Sequence, residues 1–377
     1  MPFHLTADQD LIRKTVREIA GAFEGKPADD LDRERAFPKE QIKALGQLGL
    51  AGMLVPAELG GPGTDAVSFV LALEEVARAS GVVALVLNNL NALGTFPLAT
   101  RGTQEARDRF LPQALAGETF LAWALTEPQA GTDLGGVATR AAKKGDAYVL
   151  NGLKSFVVGA SDASAILVFA RTSEKDGLTA FVVPASAKGV RIAPPERTMA
   201  LRGSDMAQVF LKDVEVPAAL RLGDEGSGTA LAAQCNELAS LGAAAIAVGV
   251  MQASLEDAIE YAGQREQFRL PLKQFQAIQF LVSQLDVELR ASRLLAWAAA
   301  DLRDRGEDAS AAIAAAKLYA GEAAKLVTQK SIRIHGGAGF MRELPVERFN
   351  RDARALSVYA GTAEAERAIL AAKALGL

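Results

Sequence analysis

Apolar positions follow a helical period at the start of the chain, shorten toward a period of two after about Phe120, and return to a helical period after Gly226. Thr6 and Gln9 form a T-x-x-Q capping box, and Ile12, Val16, Ile19, Ala20 and Phe23 follow at helical spacing. Phe37-Pro38 opens a second helix with Pro38 at its first turn, striped by Ile42, Leu45 and Leu48. Val55 to Gly63 is a cluster of breakers and predicts a loop. Phe69–Ala79 and Val82–Leu90 are apolar enough for buried helices, and Gln104–Ala116 closes this first region. In the middle, Tyr148–Val158 predicts a hairpin turning at Asn151-Gly152, and Ala165–Ala170, Leu178–Val183 and Ala207–Lys212 predict strands. The remainder predicts four long Ala-rich helices, at about 228–265, 272–305, 308–334 and 350–375, packed as an antiparallel bundle. The expected fold is α+β and mostly α. An N-terminal helical domain (1–119) precedes a middle β-barrel-like domain (120–226) and a C-terminal four-helix bundle (227–377).

Composition narrows the function. The chain has 377 residues, enough for several domains, and a net charge of −4, which gives no basis for binding nucleic acid or an anionic membrane. The single cysteine, Cys235, excludes an internal disulfide and suits a reducing cytoplasm. The opening residues from Met1 lack a basic and then apolar leader pattern. The longest apolar stretch, Leu238–Met251, is shorter than the ~18 residues a membrane span needs. With only His4 and His335, a histidine-rich metal site is excluded, and no GxGxxG follows a strand.

The chemistry centres on Leu121–Asp133. An apolar run of strand length breaks at Glu127-Pro128 and enters a Gln-Ala-Gly-Thr-Asp turn. Pro128 cannot donate to a ladder, and Gly131 permits a positive φ. Such a loop places Thr126, Thr132 and free N–H groups just past a buried strand, which suits a planar polar ring with a phosphate tail. An ordinary strand end with a polar turn fits the same residues.

Further motifs extend the pattern: Asn151-Gly-Leu-Lys154, Leu201-Arg-Gly-Ser204 with Val214-Glu-Val-Pro217, and Tyr261-Ala-Gly-Gln-Arg-Glu-Gln-Phe268 with Phe275-Gln276. His335-Gly-Gly-Ala-Gly-Phe340, Pro345-Val-Glu-Arg348, Arg351-Asp-Ala353 and Gly361-Thr362 complete it. In this order the chain resembles the acyl-CoA dehydrogenase family over nearly its whole length. The resemblance implies a homotetramer or homodimer with one FAD per subunit, an acyl-CoA or other acyl thioester as substrate, and an electron-transferring flavoprotein as electron partner. It implies that Trp123, Leu125, Thr126, Gly131, Thr132, Phe156 and Val158 surround the flavin and pyrophosphate. Arg265, Gln267, Phe268, Gln276, Arg333, Gly336 and Gly337 would reach the cofactor of a neighbouring subunit, and Thr362 and Glu364 would lie near its adenosine half. For Arg265, Phe268, Gln276 and Arg333, surface salt bridging and core packing are the competing roles.

The catalytic carboxylate departs from the family pattern. It stands in the family either just before the C-terminal Gly-Thr or on the first helix of the last domain. Those positions are Ala360 and Ala239 here, and Ser240 replaces an arginine. Glu237, the nearest carboxylate, is two residues from Ala239, about 200° around a helix. Cys235 reads as a small buried hydrophobe. Val158 replaces a hydroxyl residue near the flavin, and Arg333 replaces a glutamine. The expectation is FAD-dependent α,β-dehydrogenation of an acyl thioester. The alternatives are a flavin monooxygenase-like enzyme, a silent subunit or a flavin-free scaffold.

Overall fold

A computed structural model describes residues 4–173 and 177–377. Met1–Phe3, part of the opening residues read above, lie outside the described residues. The first region holds α1 (Ala7–Ala20), α2 (Lys26–Glu34), α3 (Lys39–Gly46), α4 (Ala66–Ala79), α5 (Gly81–Asn88), a π-helical segment Asn89–Thr95, α6 (Phe96–Arg101) and α7 (Gln104–Leu115). The predicted capping box closes α1: Thr6 Oγ1 accepts from Gln9 N at 3.2 Å, and Gln9 Oε1 accepts from Thr6 N at 3.0 Å. Pro38 is the N-cap of α3, one position before the predicted N1. The highly polar α2 carries little apolar periodicity and was not anticipated.

The middle region has β1 (Phe120–Ala124), β2 (Arg140–Lys144), β3 (Ala147–Val157), β4 (Ala163–Arg171), β5 (Leu178–Pro184), β6 (Val190–Ile192), β7 (Ala207–Pro217) and β8 (Arg221–Leu222). They form one curled sheet in the order β6-β7-β3-β2-β4-β5-β8, with β1 parallel to β4. The predicted hairpin at Asn151-Gly152 is corrected: β3 runs straight through both residues, and its turn lies at Gly145, φ 60°. Asn151 Oδ1 instead accepts from Asp213 N at 2.9 Å across a register shift to β7. Gly152 serves close packing, since a Cβ there would stand 2.2 Å from Thr139 Oγ1.

The last region holds α8 (Gly228–Gln264), the two-residue strands β9 (Glu266–Gln267) and β10 (Leu270–Pro271), α9 (Gln276–Asp304), α10 (Ser310–His335), α11 (Val346–Leu356) and α12 (Ala363–Leu375). The predicted helix 350–375 is therefore two helices, broken by a turn that includes Ala360 and Gly361, φ 56° and 110°. Glycines on α8 let the first region approach closely: a Cβ on Gly249 would stand 2.3 Å from Glu74 O, and one on Gly242 would stand 2.1 Å from Asn88 Oδ1. By length and composition Gly81–Arg101 and Gly228–Gln264 could cross a membrane, which corrects the shorter estimate from the sequence. Their most apolar windows are 100% and 94% buried inside the fold, so that surface is already spent on the core.

Candidate functional site

The loop after β1 is built on a buried ion pair. Lys154, on β3, has its Nζ 2.6 Å from Glu127 Oε1 and 3.2 Å from Leu125 O, and both charged side chains are almost fully buried. Glu127 also accepts from Thr139 N at 3.0 Å, Ala138 N at 2.7 Å and Gln129 Nε2 at 2.6 Å. Burial pushes its carboxyl up, but Lys154 and these N–H donors outweigh it and hold Glu127 below the usual range. Two motifs that are 27 residues apart in the chain are thus one physical unit. Glu127 and Ala130 exchange backbone bonds of 3.0 and 2.9 Å around Pro128-Gln129, which tightens the turn. Ser155 N donates to Thr126 O at 2.9 Å, tying the strand end to β3.

This unit presents several predicted residues to one side. β3 shifts register against β7 between Lys154 and Val157, and Phe156 there takes φ 57° with 61% of its surface exposed. Trp123 is half-buried with its ring 4.4 Å from that of Phe169, and Leu125 and Val158 are buried. Gly131 and Thr132 are exposed. Gly131 does not use the positive φ expected of it, but the space where its Cβ would sit is open.

The second predicted group lies elsewhere in the subunit. At the end of α8, Arg265, Gln267, Phe268 and Gln276 are all exposed, Phe268 by 89%. Phe268 and Arg269 have φ 51° and 67°, forming the tight turn between β9 and β10. Arg333, Gly336 and Gly337 end α10 at the same place, because His335 stacks on Tyr261 at 4.3 Å and its Nε2 lies 3.1 Å from Asp257 Oδ2. Arg265 and Arg333 carry no ion pair or hydrogen bond from their side chains among the described residues, and Gly336 and Gly337 face open space. Two uncommitted guanidinium groups beside two bare glycines suit a pyrophosphate. Among the described residues no hydrogen bond or ion pair between side chains joins this group to the β1 loop. Thr362 caps α12, accepting from Ala365 N at 3.2 Å, and exposed Glu364 pairs with Arg367 at 3.4 Å.

The base positions are small, as read. Ala239 is fully buried, and Ala360 sits in the left-handed region. Ser240 Oγ donates to Ala360 O at 2.8 Å. Behind this turn Lys317 bonds to Gly361 O and, at 2.9 Å, to Glu366 Oε1, a buried pair absent from the sequence reading. Glu237 is half-buried and faces α9, 3.6 Å from Arg303; burial raises its carboxyl and Arg303 lowers it. Cys235 is fully buried, and burial pushes its thiol up to about 12, so it is no nucleophile.

Sequence reasoning also missed a polar cluster beside both base positions. Asn88 Nδ2 donates to Ala239 O at 3.0 Å and to Tyr359 Oη at 2.9 Å, and Asn89 Nδ2 donates to Tyr359 Oη at 3.0 Å. The available signal was two adjacent asparagines in an otherwise apolar helix. Among the described residues no group of three or more His, Cys, Asp or Glu could hold a metal ion.

Family profiles for the acyl-CoA dehydrogenase N-terminal, middle and C-terminal domains match residues 6–118, 122–214 and 226–375. The chain belongs to the acyl-CoA dehydrogenase family. Among its relatives, a 3-(aryl)acrylate reductase of Clostridium sporogenes is 38% identical over 373 residues, 98% of this chain and 99% of that one. A probable acyl-CoA dehydrogenase of Bacillus subtilis is 38% identical over the full length of both. The solved structure of butyryl-CoA dehydrogenase from Megasphaera elsdenii superposes with a TM-score of 0.93 at 34% identity, covering 100% of both chains. In this acyl-CoA dehydrogenase, the loop and strand motifs meet through Lys154 and Glu127, and the motifs that begin at Tyr261 and His335 meet at the α8–α10 end.

Proposed function

We propose that the chain is an FAD-dependent oxidoreductase acting on the Cα–Cβ bond of an acyl thioester. The observation that carries this is the pairing of a rigid loop, held by the buried Lys154–Glu127 unit, with an outward-facing, unneutralised Arg265–Arg333 end. Thr126, Gly131, Thr132, Trp123, Leu125, Phe156 and Val158 would hold the flavin side. Arg265, Gln267, Phe268, Gln276, Arg333, Gly336 and Gly337 of a second copy would hold the phosphates, with Thr362 and Glu364 toward the adenosine. Bound FAD supplies a two-electron acceptor or donor. The chain's own work is to orient the thioester, to offer the Ala360 backbone N–H to its carbonyl, and to exclude water.

An oligomer follows from the same geometry, because one subunit keeps the two halves apart. Phe280, Val287 and Leu294 on α9 are 64%, 62% and 53% exposed at seven-residue intervals, a stripe suited to a second copy. We read the chain as three domains (1–119, 120–226, 227–377), working in the cytoplasm with an electron-transferring flavoprotein as redox partner. The test is anaerobic titration of the yellow holoprotein with acyl-CoAs of increasing length, read at the flavin band. A colourless protein that takes up no FAD refutes the cofactor, and a flavin band indifferent to every acyl-CoA refutes the substrate.

A further inference from the structure

With alanine at both usual base positions, some other group must move the α proton if the thioester chemistry proposed above runs at all. Besides Lys317, which is committed to Gly361 O and Glu366, two ionisable side chains reach this turn. Glu366 is one, but it faces the wrong way. Its Oε1 is held by Lys317 at 2.9 Å and lies 3.5 Å from Ser240 Oγ. The crevice it lines, with Lys317, Gly321, Leu356, Ser357 and Ala363, has a volume of about 10 Å³, room for one water. The Lys317–Glu366 pair anchors Gly361 from behind.

Tyr359 is the other. Asn88 splits its two Nδ2 hydrogens between Ala239 O and Tyr359 Oη, so the phenol oxygen lies within two hydrogen bonds of one vacant base position. It is also one residue from the second, Ala360. The Asn88 amide cannot be reversed, since its oxygen would then face the Ala239 carbonyl. Asn89 Nδ2 supplies a second donor at 3.0 Å, so the phenol oxygen accepts twice. Its own O–H hydrogen is left to donate, and among the described residues it has no acceptor. Tyr359 as a whole is half-buried.

We infer that the Tyr359 hydroxyl is the group that exchanges a proton with the α-carbon of the bound acyl thioester. This rests on the thioester reading above. In the adding direction the phenol O–H bond breaks and the enolate's electron pair forms the Cα–H bond. The phenolate oxygen keeps the O–H pair, held by the Asn88 and Asn89 N–H groups until a proton from water restores it. In the removing direction the same bonds change in reverse. Burial pushes the phenol well above its usual range, with the Asn88 amide pulling it down, so the neutral form predominates at pH 7.

The test is solvent-deuterium incorporation at Cα of butyryl-CoA, read by mass spectrometry on the FAD-loaded protein without net turnover. Wild type incorporates deuterium above the protein-free rate, and Tyr359→Phe slows this at least ~100-fold, as expected for loss of a positioned acid or base. FAD affinity of the Tyr359→Phe variant stays at the wild-type value, and adding Ala360→Glu to it restores exchange, showing an intact site. Glu366→Gln, which keeps an acceptor for Lys317, exchanges within a few-fold of wild type. Tyr359→Phe exchanging at the wild-type rate overturns the inference, as does an inert wild type beside an active Ala360→Glu variant. If even Ala360→Glu fails to exchange and butyryl-CoA leaves the flavin band unmoved, the thioester reading itself has failed and this inference falls with it.

Discussion

Replacing Lys154 by methionine tests the core of the argument. The change keeps the side-chain length and removes one charge from a pair whose side chains are 0% and 2% exposed, 2.6 Å apart. Breaking a buried pair leaves an uncompensated charge and costs about 3–5 kcal/mol. Here Glu127 keeps the N–H groups of Thr139, Ala138 and Gln129, so the lower end applies. With an unfolding entropy of about 2.1 cal/mol/K per residue over 377 residues, about 3 kcal/mol lowers Tm by about 4 °C. Calorimetry on wild type, Lys154→Met, Glu127→Gln and the double variant makes the assay a cycle. The two single losses should exceed the double loss by at least ~2 kcal/mol, because the double variant buries no charge. FAD retention on dilution should fall in both single variants, as the loop carrying Thr126 and Thr132 loosens. Additive losses, or a Tm shift under ~1 °C for Lys154→Met, would refute the claim that this pair holds the loop. The pH dependence has a definite sign. Glu127 sits below its usual 4.5, so its stabilisation is fully present above that pH and is lost as pH falls through its lowered value.

Three further outcomes follow from the same structure. Ala360→Glu should speed anaerobic flavin bleaching by butyryl-CoA about 10²–10⁴-fold, measured by stopped flow, if base loss limits dehydrogenation. His335 is lowered by burial but raised more by Asp257 and the Ser331 carbonyl, to a net position above its usual 6.5. Its stabilisation is thus complete below pH 6.5 and lost as pH rises through the folded value, so the Tm gap between wild type and His335→Gln should shrink toward alkaline pH. Gly152→Ala should cost about 1–3 kcal/mol in denaturant melts, because the added Cβ meets Thr139 inside the sheet. A neutral result there would restore the solvent-exposed hairpin turn.

The helical regions were legible because their apolar stripes repeat over many turns, as along α4, α9 and α10. α2 was not, since Lys26–Glu34 is mostly charged and buries only Ala28 and Leu31. Asn151-Gly152 misled because the pair has the same signature in a hairpin turn as in a strand interior that needs a bare Cα. Arg140–Lys144 hid as a strand because only Ala141 of its five residues is buried. The residues of the β1 loop could be named from their motif; Gly131, Thr132 and Phe156 are exposed, whereas Leu125 and Val158 are buried. What holds them was invisible, since nothing local links Glu127 to Lys154. The Asn88–Tyr359 contact likewise spans 271 positions and depends on a chain return that no periodicity encodes.

The turn at Phe268-Arg269 has a consequence for how this protein tolerates change. Two successive non-glycine residues hold left-handed backbones, a local cost of about 1–2 kcal/mol each. Inside its own subunit the Phe268 ring meets Phe275 edge-on at 6.4 Å and is otherwise 89% exposed. Glycine at either position would relax a lone protomer, yet at 268 it would delete the ring that we propose a second copy meets. Ease of folding alone and the proposed contact between copies therefore ask opposite things of this hairpin.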